Sequence, residues 1–82
     1  MKLTNPTDGK VELFINNSSL KVYRGEIKVY DLSGKQVMIF NDVKMATGKS
    51  ISLDLTNLQS GTYFINLSSD SFNNTKKVVI HK

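Results

Sequence analysis

Ile27-Lys28-Val29-Tyr30-Asp31-Leu32-Ser33-Gly34-Lys35-Gln36-Val37-Met38-Ile39 decides how the rest of this chain is read. Ile27 and Val29 alternate with Lys28 and Tyr30, the period-two pattern of a strand with one face in a core. Leu32-Ser33-Gly34 has the composition of a three-residue hairpin connection. Gly34 is expected in the left-handed conformation there, with Asp31 accepting from the N–H groups of the turn. Val37 and Ile39 resume the alternation in the returning strand, with Met38 and Phe40 on its other side. The stretch is an antiparallel hairpin.

The same period continues outward in both directions. Val11, Leu13 and Ile15 alternate with Lys10, Glu12 and Phe14, so the odd positions face a core. Asn16-Asn17-Ser18-Ser19 reads as a loop, and Leu20-Lys21-Val22-Tyr23 as a short strand ahead of Arg24-Gly25. Asn41 to Gly48 carries no clear pattern, with a reversal at Ala46-Thr47-Gly48. Ile51, Leu53 and Leu55 form a half-buried strand, followed by a compact turn over 56–61 in which Leu58 plugs the end of the core. Tyr63, Ile65 and Leu67 share the next core face. After a loop over 69–74, the strand 75–80 has Lys77 and Val79 on one face and Val78 and Ile80 on the other. No apolar stripe recurs at helical spacing. The expectation is an all-β fold: a small immunoglobulin-like antiparallel β-sandwich of six to seven short strands, with a small barrel as the alternative.

Eighty-two residues make one domain spanning 1–82, close to the size at which a single core is marginal. No cysteine is present, which excludes a disulfide framework and a thiolate nucleophile. No apolar run reaches the roughly 18–20 residues that cross a bilayer as a helix, so membrane insertion is not expected. Met1-Lys2-Leu3 runs straight into a turn signal and is not a signal peptide, so an exported protein would have this chain as a fragment of a longer precursor. The formal charge of +4 comes from lysines scattered among acidic residues with a single arginine, unlike a nucleic-acid footprint.

A search for chemistry returns little. The one histidine, His81, is next to last, and no serine sits in a Gly-x-Ser-x-Gly elbow, so no hydrolytic triad is assembled. Asp31 reads as a turn residue, Asp54 as the outward face of a strand, and Asp42 and Asp70 as loop solvation. Asp8, Asp42 and Asp70 offer oxygens, but without the Asp-x-Asp-x-Asp-Gly spacing that converges six ligands on calcium. Neither a metal nor any other cofactor is expected, and the chain is not expected to be an enzyme. Asn16-Asn17-Ser18, Asn66-Leu67-Ser68 and Asn73-Asn74-Thr75 match the glycosylation sequon, a common pattern in Asn/Ser-rich chains. Phe14, Tyr30, Phe40 and Phe64 take the parity opposite to the core positions and would cover an outer face.

Four features in order resemble one family over 5–82. Asn5-Pro6-Thr7-Asp8-Gly9 is similar to its opening turn, and Val29-Tyr30-Asp31-Leu32-Ser33-Gly34-Lys35 to its central hairpin. Leu53-Asp54-Leu55 and Leu58-Gln59-Ser60-Gly61-Thr62-Tyr63 resemble its next strand and turn, with Gln59 where the family usually has proline. Lys76-Lys77-Val78-Val79-Ile80 with a final Lys82 resembles its closing strand. The family is the C-terminal sorting domain (type A) of type IX secretion cargo from Bacteroidetes-type bacteria. The resemblance implies a signal domain that follows a cargo domain, folds in the periplasm and is recognised by an outer-membrane translocon. It further implies a sortase-like cysteine peptidase that cuts on the domain's N-terminal side, leaving the cargo at the cell surface or in the medium. Lys76, Lys77, Val78, Val79, Ile80 and Lys82 are the expected recognised segment, an extended exposed tag whose removal would leave most of the sandwich folded. Asn5, Pro6, Gly9, Asp31, Gly34, Gly61 and Tyr63 are the expected structural turn residues. The competing readings are a carbohydrate- or protein-binding module of a surface protein and an adhesin-type spacer.

Overall fold

The structure, a computed structural model, describes residues 2–3, 8–14, 22–46, 50–70 and 73–82. Among the described residues seven strands form: β1 (Lys2–Leu3), β2 (Lys10–Phe14), β3 (Val22–Tyr30), β4 (Gln36–Ala46), β5 (Ser50–Asp54), β6 (Gly61–Ser69) and β7 (Asn73–Ile80). They pair antiparallel in two sheets, ordered β1-β2-β5 and β4-β3-β6-β7. That order is the immunoglobulin one, with β4, the returning strand of the central hairpin, at the sheet edge beside β3 and, among the described residues, no strand beyond β5. The all-β sandwich expected from alternation is therefore present.

Alternation also places the core. Val11 and Leu13 from β2 and Leu53 from β5, with Leu55 just beyond it, are buried against Ile27 and Val29 of β3. Ile65 and Leu67 of β6 and Val78 and Ile80 of β7 complete the cluster. All but Val78 and Ile80 are positions that period two assigns to the inside; for that last strand alternation separates the two faces and the structure shows that Val78 and Ile80 face the core. Leu58 and Tyr63 pack against the cluster from one end, as their register requires. The smallest principal extent is 16 Å, the thickness of two stacked sheets and their outer side chains.

The central hairpin forms as expected, with one consequential difference. Asp31 N–H donates to Lys35 O at 2.9 Å and Gly34 N–H to Asp31 O at 3.0 Å, leaving a three-residue loop with Gly34 at φ 88°. Simple pairing from there would set Val37 opposite Val29 and Ile39 opposite Ile27. Instead Tyr30 pairs Gln36 while Val29 pairs Met38, so Val37 is the extra residue of a bulge. Beyond it every side chain changes face. Met38 and Phe40 pack on the core and Ile39 is left exposed, the reverse of the alternation read from sequence. Phe40 thus leaves the outer aromatic set, while Phe14 is exposed and Tyr30 and Phe64 are half-buried.

Two further boundaries differ. Tyr23 and Glu26 belong to one strand, because Gly25 pairs both Val43 and Ser69 rather than interrupting the chain. The pattern-free stretch after Phe40 is the second half of β4, carried past a second bulge where Asn41 and Asp42 together oppose Glu26. Asp42 is not loop solvation. It sits there at φ 54°, a conformation Asp tolerates better than most residues, and accepts from Arg24 Nη1 at 2.9 and 3.0 Å. The sequence-derived assignments at Asn5, Pro6, Ile15, 16–21, 47–49 and Phe72 lie outside the described residues.

Candidate functional site

β7 is the last strand of its sheet and pairs with β6 from Gly61↔Ile80 to Ser68↔Asn73. Its eight residues divide by parity. Val78 and Ile80 point inward and are fully buried, Val79 is half-buried, and Lys76, Lys77 and Lys82 are exposed. Lys76 shares the inward parity, opposite buried Ile65, yet stays exposed at the sheet margin. A charge on the core-side face of an edge strand discourages indiscriminate strand pairing. Lys77 stands on the other face opposite Phe64, and neither lysine has an acidic partner among the described residues.

The segment taken from sequence as an exposed tag is therefore half interior. Three strand ends and the chain's last residue hold it in place. Asp54 accepts from the Thr56 N–H at 3.0 Å and from the Thr56 hydroxyl, and Leu58 N–H donates to Leu55 O at 3.0 Å, which folds 54–60 into a compact turn. The Tyr63 hydroxyl donates to Gln59 O at 2.9 Å, the tyrosine corner of immunoglobulin-like sandwiches. Lys82 then binds the same turn, its N–H donating to Ser60 Oγ at 3.1 Å and its Nζ to Thr56 O. Gln59 in place of proline costs this turn nothing visible, because the contact uses only the residue's carbonyl.

Gly9 closes the turn from the other side. Its carbonyl accepts from Leu55 N–H at 2.7 Å, and a Cβ at Gly9 would lie 2.9 Å from Thr56 Cα. Asp8 accepts from Lys10 N–H at 3.1 Å, so Asp8, Asp31 and Asp54 each cap a chain reversal by accepting from the N–H two residues on. Asp31 accepts from the Ser33 hydroxyl at 2.6 Å and from the N–H groups of Ser33 and Lys35 at 2.9 and 3.0 Å. The structure thus places Gly9, Asp31, Gly34, Gly61 and Tyr63 in turns or at their margins. It adds Asp54 and Ser60, which sequence reading had treated as a strand face and an ordinary turn residue. The signal for Asp54 was available: Asp-x-Thr repeats the Asp-x-Ser of the hairpin.

These caps set a pH dependence. The Ser33 hydroxyl first, then the Lys35 N–H, hold the Asp31 carboxyl below its ordinary value, and the Thr56 hydroxyl and N–H do the same for Asp54. A group with a lowered folded pKa stabilises the fold above its unfolded pKa, and the gain is lost as pH falls through the folded value. Melting temperature is expected to fall below about pH 4. An Asp31→Asn, Asp54→Asn double variant should melt lower at neutral pH and show a flatter acid limb, read by circular dichroism across pH.

The chemistry available is recognition. Among the described residues no cluster of His, Asp and Glu is built to hold a metal. His81 is exposed, just beyond the end of β7. No described helix is long and apolar enough to cross a membrane. Comparison with curated proteins gives no match. The family described as secretion system C-terminal sorting domain matches residues 4–81. The chain belongs to that family: it is a type IX secretion sorting signal, of a non-enzymatic family whose domains follow a cargo domain and are recognised by the secretion machinery for export to the cell surface or medium.

Proposed function

We propose that residues 1–82 form the single sorting domain of a longer precursor, itself without catalytic activity. It carries its cargo through the periplasm and presents β7 to the outer-membrane translocon. A sortase-like cysteine peptidase then cuts on its N-terminal side. The observation that carries this reading is the pair of exposed, acid-free lysines on a strand that the core and the 54–60 turn hold rigid. The recognised atoms are the side chains of Lys76, Lys77 and Lys82 and the outer part of Val79. Val78 and Ile80 act from the interior, by fixing where those side chains stand.

The chain fused behind a periplasmic reporter in a type IX-competent host tests it. The parent fusion is expected in the medium or on the surface. A Lys76→Glu, Lys77→Glu variant is expected to keep its melting temperature within a few degrees, since both side chains are exposed, while most of the reporter stays in the periplasm. Undiminished export of that variant would refute the assignment of β7.

A further inference from the structure

The outer face of the β4-β3-β6-β7 sheet carries an aromatic and polar surface of which the proposed sorting contact uses only the β7 edge. Tyr30 and Phe64 are direct cross-strand partners there, both half-buried, and Lys77 follows Phe64 in the same row. The next row is Lys28, Asn66 and Thr75: Lys28 Nζ lies 3.7 Å from Glu26 Oε2, and Asn66 Nδ2 donates to Thr75 Oγ1 at 2.8 Å and to Asn73 Oδ1 at 2.7 Å. Together they border an open groove of about 500 Å³ that runs to the Asp31–Gly34 turn. Both acceptors keep donors of their own, the Thr75 hydroxyl proton and the Asn73 Nδ2 hydrogens.

This arrangement has a definite chemistry. A half-buried aromatic pair offers ring surface against which the C–H edge of a sugar ring can pack, burying apolar area without hiding its hydroxyls. Carboxamides and a hydroxyl one row away can each donate to and accept from those hydroxyls. Lys77, with no acidic partner among the described residues, supplies a compact positive charge at the margin. Asp31, the carboxylate among the groove's lining residues, accepts from Ser33 and Lys35 within its own turn at the end of β3, with β6 between β3 and the β7 of Lys77. A purely apolar partner would strand the Asn66–Asn73–Thr75 network, and a purely polar one would leave the rings unused.

We propose that this face binds a pyranose saccharide carrying a negative charge, its ring against Tyr30 and Phe64 and its anionic group at Lys77. The site shares Lys77 with the proposed sorting surface and is tested in vitro on the purified chain, so its outcome does not depend on export. An array of uronate, sialylated and phosphorylated glycans with neutral counterparts selects the probe, and the best acidic glycan is titrated by heteronuclear NMR. Saturable shifts at Tyr30, Phe64, Asn66, Asn73 and Thr75 are expected. Lys77→Ala, at an exposed position, should weaken binding about tenfold, the scale of one charge-assisted hydrogen bond. Phe64→Ala should abolish binding in a protein that still shows the dispersed spectrum of a folded sandwich. Absence of saturable binding to any acidic glycan, equal binding of neutral ones, or shifts confined to another surface would each overturn the proposal.

Discussion

Deleting Lys76–Lys82 is expected to unfold the domain, not to strip a label from an intact sandwich. The deletion removes Val78 and Ile80, which are 0% and 1% exposed, and uncovers the faces of Tyr63 and Ile65 that they pack against. Burial of two such side chains is worth about 3–6 kcal/mol by transfer alone, before any cavity term. A chain of this length has roughly 4–12 kcal/mol of stability in total. The Lys82 contacts to Ser60 and Thr56 go as well. The measurement is a urea or thermal melt of residues 1–75: loss of a cooperative transition is the expected result, and a transition close to that of the parent would refute it. The sequence had suggested the opposite, a truncated but largely folded body. Export lost on truncation therefore cannot distinguish a missing address from a missing fold, and the charge-reversed pair at Lys76 and Lys77 is the informative variant.

The second large effect is expected at Gly9. Its φ of 121° is one that side-chain-bearing residues rarely adopt, and a Cβ there would stand 2.9 Å from Thr56 Cα and 3.1 Å from Thr56 N. Both obstacles are backbone, so no rotamer change relieves them. Left-handed strain of about 1–2 kcal/mol and overpacking of about 1–3 kcal/mol add to roughly 2–5 kcal/mol for Gly9→Ala. Gly34→Ala is the control, because φ is 88° there but nothing lies within 4 Å of the added atom. It should cost only the conformational part, about 1–2 kcal/mol. Chemical denaturation of the two variants side by side reads the difference, and equal losses would show that the Gly9–Thr56 approach is not tight.

How far the sequence reaches is clear from where it failed. Alternation located Val11, Leu13, Ile27, Val29, Leu53, Leu55, Ile65 and Leu67, because buried positions in a two-sheet sandwich must repeat every second residue. It placed the central hairpin because Asp31 and Gly34 have local jobs that need no tertiary context. It misassigned Ile39 and Phe40 because a bulge at Val37 shifts the count by one, and nothing in Gln36-Val37-Met38 announces the extra residue. It broke β3 at Arg24-Gly25 because glycine there looks like a stop, whereas two neighbouring strands hold Gly25 in line. The exposed character of the C-terminal segment was half legible: lysines declare a surface, but Val78 and Ile80 between them declare a core only once β6 is known to lie alongside.

Gly9 and Lys82 meet the same few atoms of the polypeptide, the main chain at Thr56. The leading strand starts at the other end of the sandwich: Lys2 pairs with Phe14, the full length of β2 away from Gly9 and the Lys82 contacts, so the two boundaries stand at opposite poles. Tension between a passenger ahead of Lys2 and an apparatus gripping the trailing end therefore runs lengthwise through the strands, where it is shared as shear across their ladders of hydrogen bonds.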